Sequence, residues 1–83
     1  MTQVLNQEVD VTSFYFAKDK TFPRRVQFGQ NELTFLESGL RCLVQKGQEL
    51  IEIFNMTDGR NQYTIRHERA SQQWILLSKR AMA

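Results

Sequence analysis

The last third of the chain constrains the fold most, because its apolar residues recur in short runs separated by turn signals. Residues 50–56, 62–67 and 74–79 are rich in β-branched and aromatic side chains, which favour strands. Asp58 and Gly59 lie between the first two runs, and this pair is typical of a tight hairpin turn because glycine adopts positive φ at little cost. The pattern therefore predicts two consecutive antiparallel hairpins.

The second of these hairpins has a predicted register. A two-residue turn at residues 70–71 fixes three cross-strand pairs on its apolar face: His67 with Trp74, Ile65 with Leu76, and Tyr63 with Ser78. Other registers remain open, since the type of loop is itself inferred. Residues 60–83 also carry a net charge of +4, so the hairpin is the basic end of the chain.

Further strands are predicted in the first half of the chain. Residues 12–17 are aromatic-rich, and residues 25–28 and 32–35 alternate around a turn signal at residues 29–31. Residues 1–10 are polar with no clear period, so we expect a flexible N-terminal segment there. The remaining residues, 11–83, are expected to form a single small β-rich domain, because a chain of 83 residues has room for one core.

Residues 38–46 are the most ambiguous segment. Ser38 is a fair N-cap and Gly47 a natural residue to follow a helix, and leucines recur between them at helical spacing, so we favour a short helix. The alternation of Leu40, Cys42 and Val44 leaves a strand open as the alternative. The predicted class is thus α+β and β-dominated: a small antiparallel sheet or partly open barrel of five to six short strands with one short helix.

The location of the chain is predicted from what its sequence lacks. No apolar run approaches the roughly 20 residues that span a bilayer, so we expect no membrane contact. The first residues carry neither a basic leader nor a long apolar segment, which argues against a signal peptide. Cys42 is the only cysteine and excludes an internal disulfide, so we expect a reducing, cytoplasmic location.

No motif for a recognised reaction stands in the sequence, and we expect no catalytic residue, no cofactor and no metal ion. One histidine, His67, and one cysteine in separate elements fall short of the three or four ligands that a metal needs. Glu52 stands in the most apolar run; if it is buried it needs a partner, and Arg66 on the neighbouring strand is the predicted one. A solvent-facing Glu52 or a structural ion pair is the ordinary reading.

The first functional hypothesis is a small non-catalytic binding or accessory module that acts through protein–protein contact. The strands offer more apolar surface than one core face needs, and exposed edge strands offer a second means of contact. The candidate apolar contact patch consists of Leu50, Phe54, Met56, Ile75 and Leu77. An unknown protein partner and self-association both remain open.

Two alternatives come from other classes of protein. Weak nucleic-acid binding is the first, because the basic hairpin interleaves cations with rings that could stack on bases. Its candidate interaction surface consists of Arg60, Arg66, His67, Arg69, Trp74, Lys79 and Arg80. A small enzyme is the second, and it requires a concave pocket that collects Glu52, His67 or Cys42 with a shifted pKa.

Overall fold

The computed structural model describes residues 2–17, 19–36 and 39–82, and its regular elements are all β-strands. The strands are β1 (Thr2–Ala17), β2 (Lys20–Phe28), β3 (Asn31–Thr34), β4 (Leu40–Lys46), β5 (Glu49–Thr57), β6 (Asn61–Glu68) and β7 (Gln73–Ala81). They form one antiparallel sheet in the order β3-β2-β1-β7-β6-β5-β4. A small, single-domain antiparallel protein is therefore confirmed.

The long strand β1 joins the two halves of the sheet. Its first part pairs with β7, and its second part pairs with β2. Irregularities interrupt both ladders, one between Val4 and Gln7, where Asn6 has a φ of 47°, and others between Val11 and Phe14. Such irregularities bend a strand and increase its twist, so β1 can turn from one half of the sheet to the other.

The sheet curls until β2 and the segment after β3 cover the inner face of β5 and β6. The rings of Phe22 and Phe54 meet edge to face at 5.8 Å, and those of Phe35 and Tyr63 lie 5.4 Å apart. The backbone N–H of Leu36 donates to the carbonyl of Thr57 at 2.8 Å. The enclosed core consists of Val9, Tyr15, Phe22, Val26, Phe35, Phe54, Met56, Tyr63, Ile65 and Leu76.

The prediction of a short helix over residues 38–46 is wrong, as is the count of five to six strands. Leu40–Lys46 is strand β4, which pairs with β5 without irregularity from Leu40 opposite Asn55 to Lys46 opposite Glu49. Gly47 has a φ of 62° and belongs to the turn between β4 and β5, so its positive φ closes a hairpin. Pairing with β5 satisfies the backbone groups along one side of β4 and overrides its helical spacing. The predicted cap, Ser38, lies outside the described residues.

Residues 2–10 lie within β1, which pairs with β7 from Thr2 opposite Arg80 to Val9 opposite Trp74 and with β2 from Asp10 opposite Gln27 onward. The expected flexibility of this segment stays a prediction.

The register of the second hairpin is confirmed near its turn. His67 lies opposite Trp74 and Ile65 opposite Leu76. The turn itself spans residues 69–72, with Gln72 at a φ of 60°, and it is therefore longer than predicted. A register shift beyond Ile65 then places Lys79, and not Ser78, opposite Tyr63.

The turn between β5 and β6 is anchored by the carboxylate of Asp58. Its Oδ1 accepts the backbone N–H groups of Arg60 and Asn61, both at 2.8 Å, and the hydroxyl of Tyr63 donates to Oδ2 at 3.1 Å. Burial alone would raise the pKa of Asp58, but these hydrogen bonds hold the pKa below its usual value. Gly59 takes a φ of 96°, so the predicted turn signal marks a real turn.

In the ranges that the structure describes, no helix has the length and apolarity to cross a membrane.

The core assignment predicts different effects for the same substitution at two valines. Val26 is 0% exposed and Val4 is 70% exposed. Val26→Ala should lower the free energy of unfolding by roughly 2 kcal/mol, because it removes buried methyl groups and leaves a cavity. Val4→Ala should change it far less. Urea unfolding followed by circular dichroism measures both, and equal losses would contradict the assigned core.

Candidate functional site

The carboxylate of Glu52 lies at the centre of a polar cluster on the inner face of the sheet. Glu52 stands on β5 between β4 and β6, and only 6% of its surface is exposed. Arg41 on β4 donates from Nε to Oε2 at 2.6 Å, and Arg69 in the turn after β6 donates from Nε to Oε1 at 3.2 Å. The carboxylate is therefore held by donors from both sides of its own strand.

His67 on β6 is the third partner of this carboxylate. Its Nδ1 lies 2.9 Å from Oε1 of Glu52. An ionised carboxylate only accepts hydrogen bonds, so Nδ1 carries the proton of this contact. The imidazole also stacks on the ring of Trp74, with centroids 4.0 Å apart and planes inclined by 12°. The cross-strand pairing of β6 with β7 thus fixes the orientation of His67.

These contacts set the protonation state of Glu52. Burial by itself would raise the pKa of this carboxyl group, because it disfavours the charged form. Hydrogen bonds from His67, Arg41 and Arg69, with the charge of Arg41, outweigh burial and place the pKa below the usual 4.5. Glu52 is therefore a permanent anion at neutral pH and a poor proton donor or acceptor there.

A pocket of about 350 Å³ opens beside this cluster. Its apolar wall is formed by the rings of Phe14, Phe54 and Trp74, and its polar wall by Glu52 and its three partners. The ring of Phe14, on β1, lies 5.9 Å from that of Trp74, so the curl of the sheet supplies one side of the pocket. The pocket therefore has one apolar wall and one charged wall.

The pocket brings together part of what the enzyme hypothesis requires. It contains Glu52 and His67, and the pKa of Glu52 is shifted. Cys42 is exposed and points, like its partner Ile53, to the face opposite that of Glu52. Across residues 2–17, 19–36 and 39–82, no three His, Cys, Asp or Glu side chains are grouped to hold a metal ion. The cluster therefore offers charges and hydrogen bonds.

The structure divides the predicted basic surface. His67, Arg69 and Trp74 lie together in the pocket. Arg60, Lys79 and Arg80 lie at the other end of β6 and β7, where Asn61 pairs with Ala81.

The predicted pairing of Arg66 with Glu52 is wrong. Arg66 lies opposite Ile53, so its side chain is on the outer face, where it contacts Glu68 at 3.0 Å. A one-residue difference in register decides this point, because neighbouring residues of a strand face opposite sides of the sheet.

The predicted apolar contact patch is not one surface. Phe54 and Met56 are buried in the core, and they cannot belong to an exposed patch. Ile75 and Leu77 are half-buried on β7, and Leu50 is exposed at the start of β5. Three exposed apolar residues, Leu40, Leu43 and Val44, lie on β4, where the wrong helix prediction concealed them, and three others, Val4, Phe14 and Phe16, lie on β1.

Arg41 and Phe14 are among the pocket residues that sequence reasoning missed; the others are Asp19, Lys20, Thr21 and Gln72. The signal for Arg41 appears once residues 40–46 are taken as a strand beside β5. Alternation then places the side chain of Arg41 on the same face as those of Leu43 and Gln45. The position of Phe14 depends on the curl of the sheet, for which the sequence holds no comparable signal.

Comparisons of this chain with protein-family models, with curated proteins and with solved structures found no significant match.

The cluster predicts a pH-dependent loss of stability on Glu52→Gln. At neutral pH the substitution should lower the free energy of unfolding by about 3 kcal/mol, because it leaves Arg41 without its counterion in a buried site. Folding lowers the pKa of Glu52. As the pH falls, the unfolded chain therefore takes up a proton at this carboxyl group before the folded chain does, and this favours unfolding. The stabilisation is therefore complete above pH 4.5 and is lost as the pH falls through the folded-state pKa.

Urea unfolding of both proteins from neutral pH to below pH 4.5 measures this difference. Glu49→Gln, at an exposed position of the same strand, is the matched control and should leave stability nearly unchanged. The pKa of Asp58 is also lowered in the folded protein, so its contribution to the pH dependence of the unfolding free energy should be the same in the wild type and in both variants. A gap between wild type and Glu52→Gln that stays constant on acidification would contradict the assigned ion pairs.

Proposed function

We propose that this chain is a small non-catalytic module that acts through protein–protein contact, and that its partner is a second copy paired along β4. One observation supports this proposal above all: β4 is an edge strand that exposes apolar side chains. A strand at the edge of a sheet presents unpaired backbone donors and acceptors, which another strand can satisfy.

The two edges of the sheet differ in a way that supports pairing at β4. The opposite edge, β3, has four residues, whereas β4 has seven and pairs regularly with β5. Edges that must not pair usually carry proline, bulges or inward-pointing charges. Leu40–Lys46 contains no proline and no acidic residue, and the charge of Arg41 is bonded to Glu52.

The side chains of β4 add apolar surface to this open edge. Leu40 is 72% exposed and Val44 is 43% exposed on the outer face, and Leu43 is 50% exposed on the inner face. Burying such side chains stabilises an association in proportion to the apolar area removed from water. A partner strand beside β4 would cover both faces at once.

Charge compatibility favours a second copy as this partner. An antiparallel arrangement with its two-fold axis at Leu43 pairs Arg41 with Gln45 and Leu40 with Lys46. This register places no two cations of the paired strands directly opposite each other. Like charges in that position would destabilise the pairing. The contact is isologous and closed, as in most soluble dimers.

Nucleic-acid binding through the basic hairpin has less support. The ring of Trp74 is stacked against His67, which covers one of its faces. The charges of Arg66 and Arg69 are bonded to Glu68 and Glu52. Exposed cations beside free rings are what such binding needs.

A cytoplasmic location belongs to the same proposal. It is supported by the single cysteine, which leaves the fold without an internal disulfide.

Light scattering of the purified protein across a concentration series tests the proposed pairing. The wild type should have the mass of a dimer. Leu43→Lys and Leu43→Glu should each be monomeric, because like charges then face each other across the two-fold axis. An equimolar mixture of the two variants should recover the dimer mass, since opposite charges then meet. Circular dichroism controls for the fold of each variant.

Two outcomes would overturn the proposal. A wild type that remains monomeric at millimolar concentration would exclude the second copy as partner. A dimer that survives in Leu43→Lys alone would show that the contact lies elsewhere on the molecule.

A further inference from the structure

The two arginines bound to Glu52 use only part of their hydrogen-bonding capacity. Each donates to the carboxylate through Nε, while a guanidinium also carries donors on both of its Nη atoms. Among the described residues, no acceptor is bonded to an Nη atom of Arg41 or Arg69. Both side chains line the pocket, and the hydrogen bond to Glu52 turns the Nε side of each guanidinium towards this carboxylate. The Nη atoms of both arginines are therefore donors that no described residue satisfies.

The charge around the pocket is unbalanced. Arg41, Arg69 and Lys20 line it together with two carboxylates, those of Glu52 and Asp19. Among the described lining residues, with the imidazole of His67 left out of the count, there is one more positive than negative charge. A ligand with a single negative charge would complete this balance, and paired guanidinium donors match the two oxygens of a carboxylate.

The other wall determines what the rest of such a ligand would be. Phe14 and Trp74 present an inclined pair of rings next to the arginines. Planar apolar groups pack well against rings in offset or edge-to-face arrangements. At about 350 Å³, the space suits a compact molecule better than a polymer.

From these three observations we propose that the pocket binds a small aromatic carboxylate. The carboxylate accepts hydrogen bonds from the Nη atoms of Arg41 and Arg69, and the ring packs against Phe14 and Trp74. Glu52 acts as a positioning residue, because it holds both guanidinium groups and does not itself contact the ligand. The inference goes beyond the proposed self-pairing, since the ligand lies on the inner face and leaves the backbone edge of β4 free.

The tryptophan at position 74 is the only one in the chain, so its fluorescence reports directly on the pocket. Benzoate is the probe, and a titration should give a saturable change in this fluorescence. Benzamide, which keeps the ring without the charge, and acetate, which keeps the charge without the ring, should each bind at least about tenfold more weakly. Phenyl phosphate carries an aromatic ring with a phosphate in place of the carboxylate. It should bind more weakly than benzoate if the pocket prefers a carboxylate.

Arg69→Gln is the decisive variant, because Arg69 is half-exposed and its loss should be tolerated by the fold. Benzoate affinity should fall about tenfold, since one charge-assisted pair of hydrogen bonds is lost. Arg60→Gln, an exposed arginine at the far end of the hairpin, is the control and should bind benzoate as the wild type does.

The outcomes separate cleanly. Benzamide binding as tightly as benzoate, or unchanged benzoate affinity in Arg69→Gln, would overturn the proposal. Phenyl phosphate binding more tightly than benzoate would overturn the assignment of a carboxylate. Light scattering of Arg69→Gln should match the wild type, so failure of the pocket proposal is distinguishable from failure of the β4 pairing.

Discussion

The burial of one carboxylate organises the site. Glu52 is buried on β5 next to Ile51 and near Phe54, and an ion removed from water there is costly unless donors replace its hydration. The donors come from three segments: Arg41 on β4, His67 on β6, and Arg69 in the turn that follows. Satisfying Glu52 thus fixes β4, β6 and this turn relative to β5, which in turn sets the charged wall of the pocket.

The same curled sheet produces two surfaces with different character. On the inner face, β1 brings Phe14 close to Trp74 and closes a pocket beside the ion pairs. At the edge, β4 has β5 on one side and unpaired backbone on the other. Because the charge of Arg41 is paired with that of Glu52, the exposed apolar side chains of β4 dominate this edge. The ion pair therefore links the chemistry of the pocket to the exposure of the edge.

Local patterns predicted the second half of the fold better than the first. Hairpin turns and period-two alternation located β5, β6 and β7, and the pairing of His67 with Trp74 follows from local spacing alone. Residues 40–46 satisfied both a helical and a strand period, and only the ladder with β5 decides between them. Glu52 stood out as a carboxylate in an apolar run, but its partners depend on register and on a non-local curl. The apolar run on β5 is compatible both with burial of Phe54 and Met56 in the core and with their exposure in a contact patch, so the run alone does not decide between the two.

The most direct test of this account is a double-mutant cycle between Arg41→Met and Glu52→Gln, measured by urea unfolding at neutral pH. If the carboxylate of Glu52 holds β4 through Arg41, the two losses should be non-additive by about 2 kcal/mol. Arg41→Met alone should also lower the free energy of unfolding, because it leaves the buried carboxylate of Glu52 with only His67 and Arg69 as described partners. Losses that simply add would mean that the two side chains do not interact in the folded protein, and would contradict the central role given to Glu52.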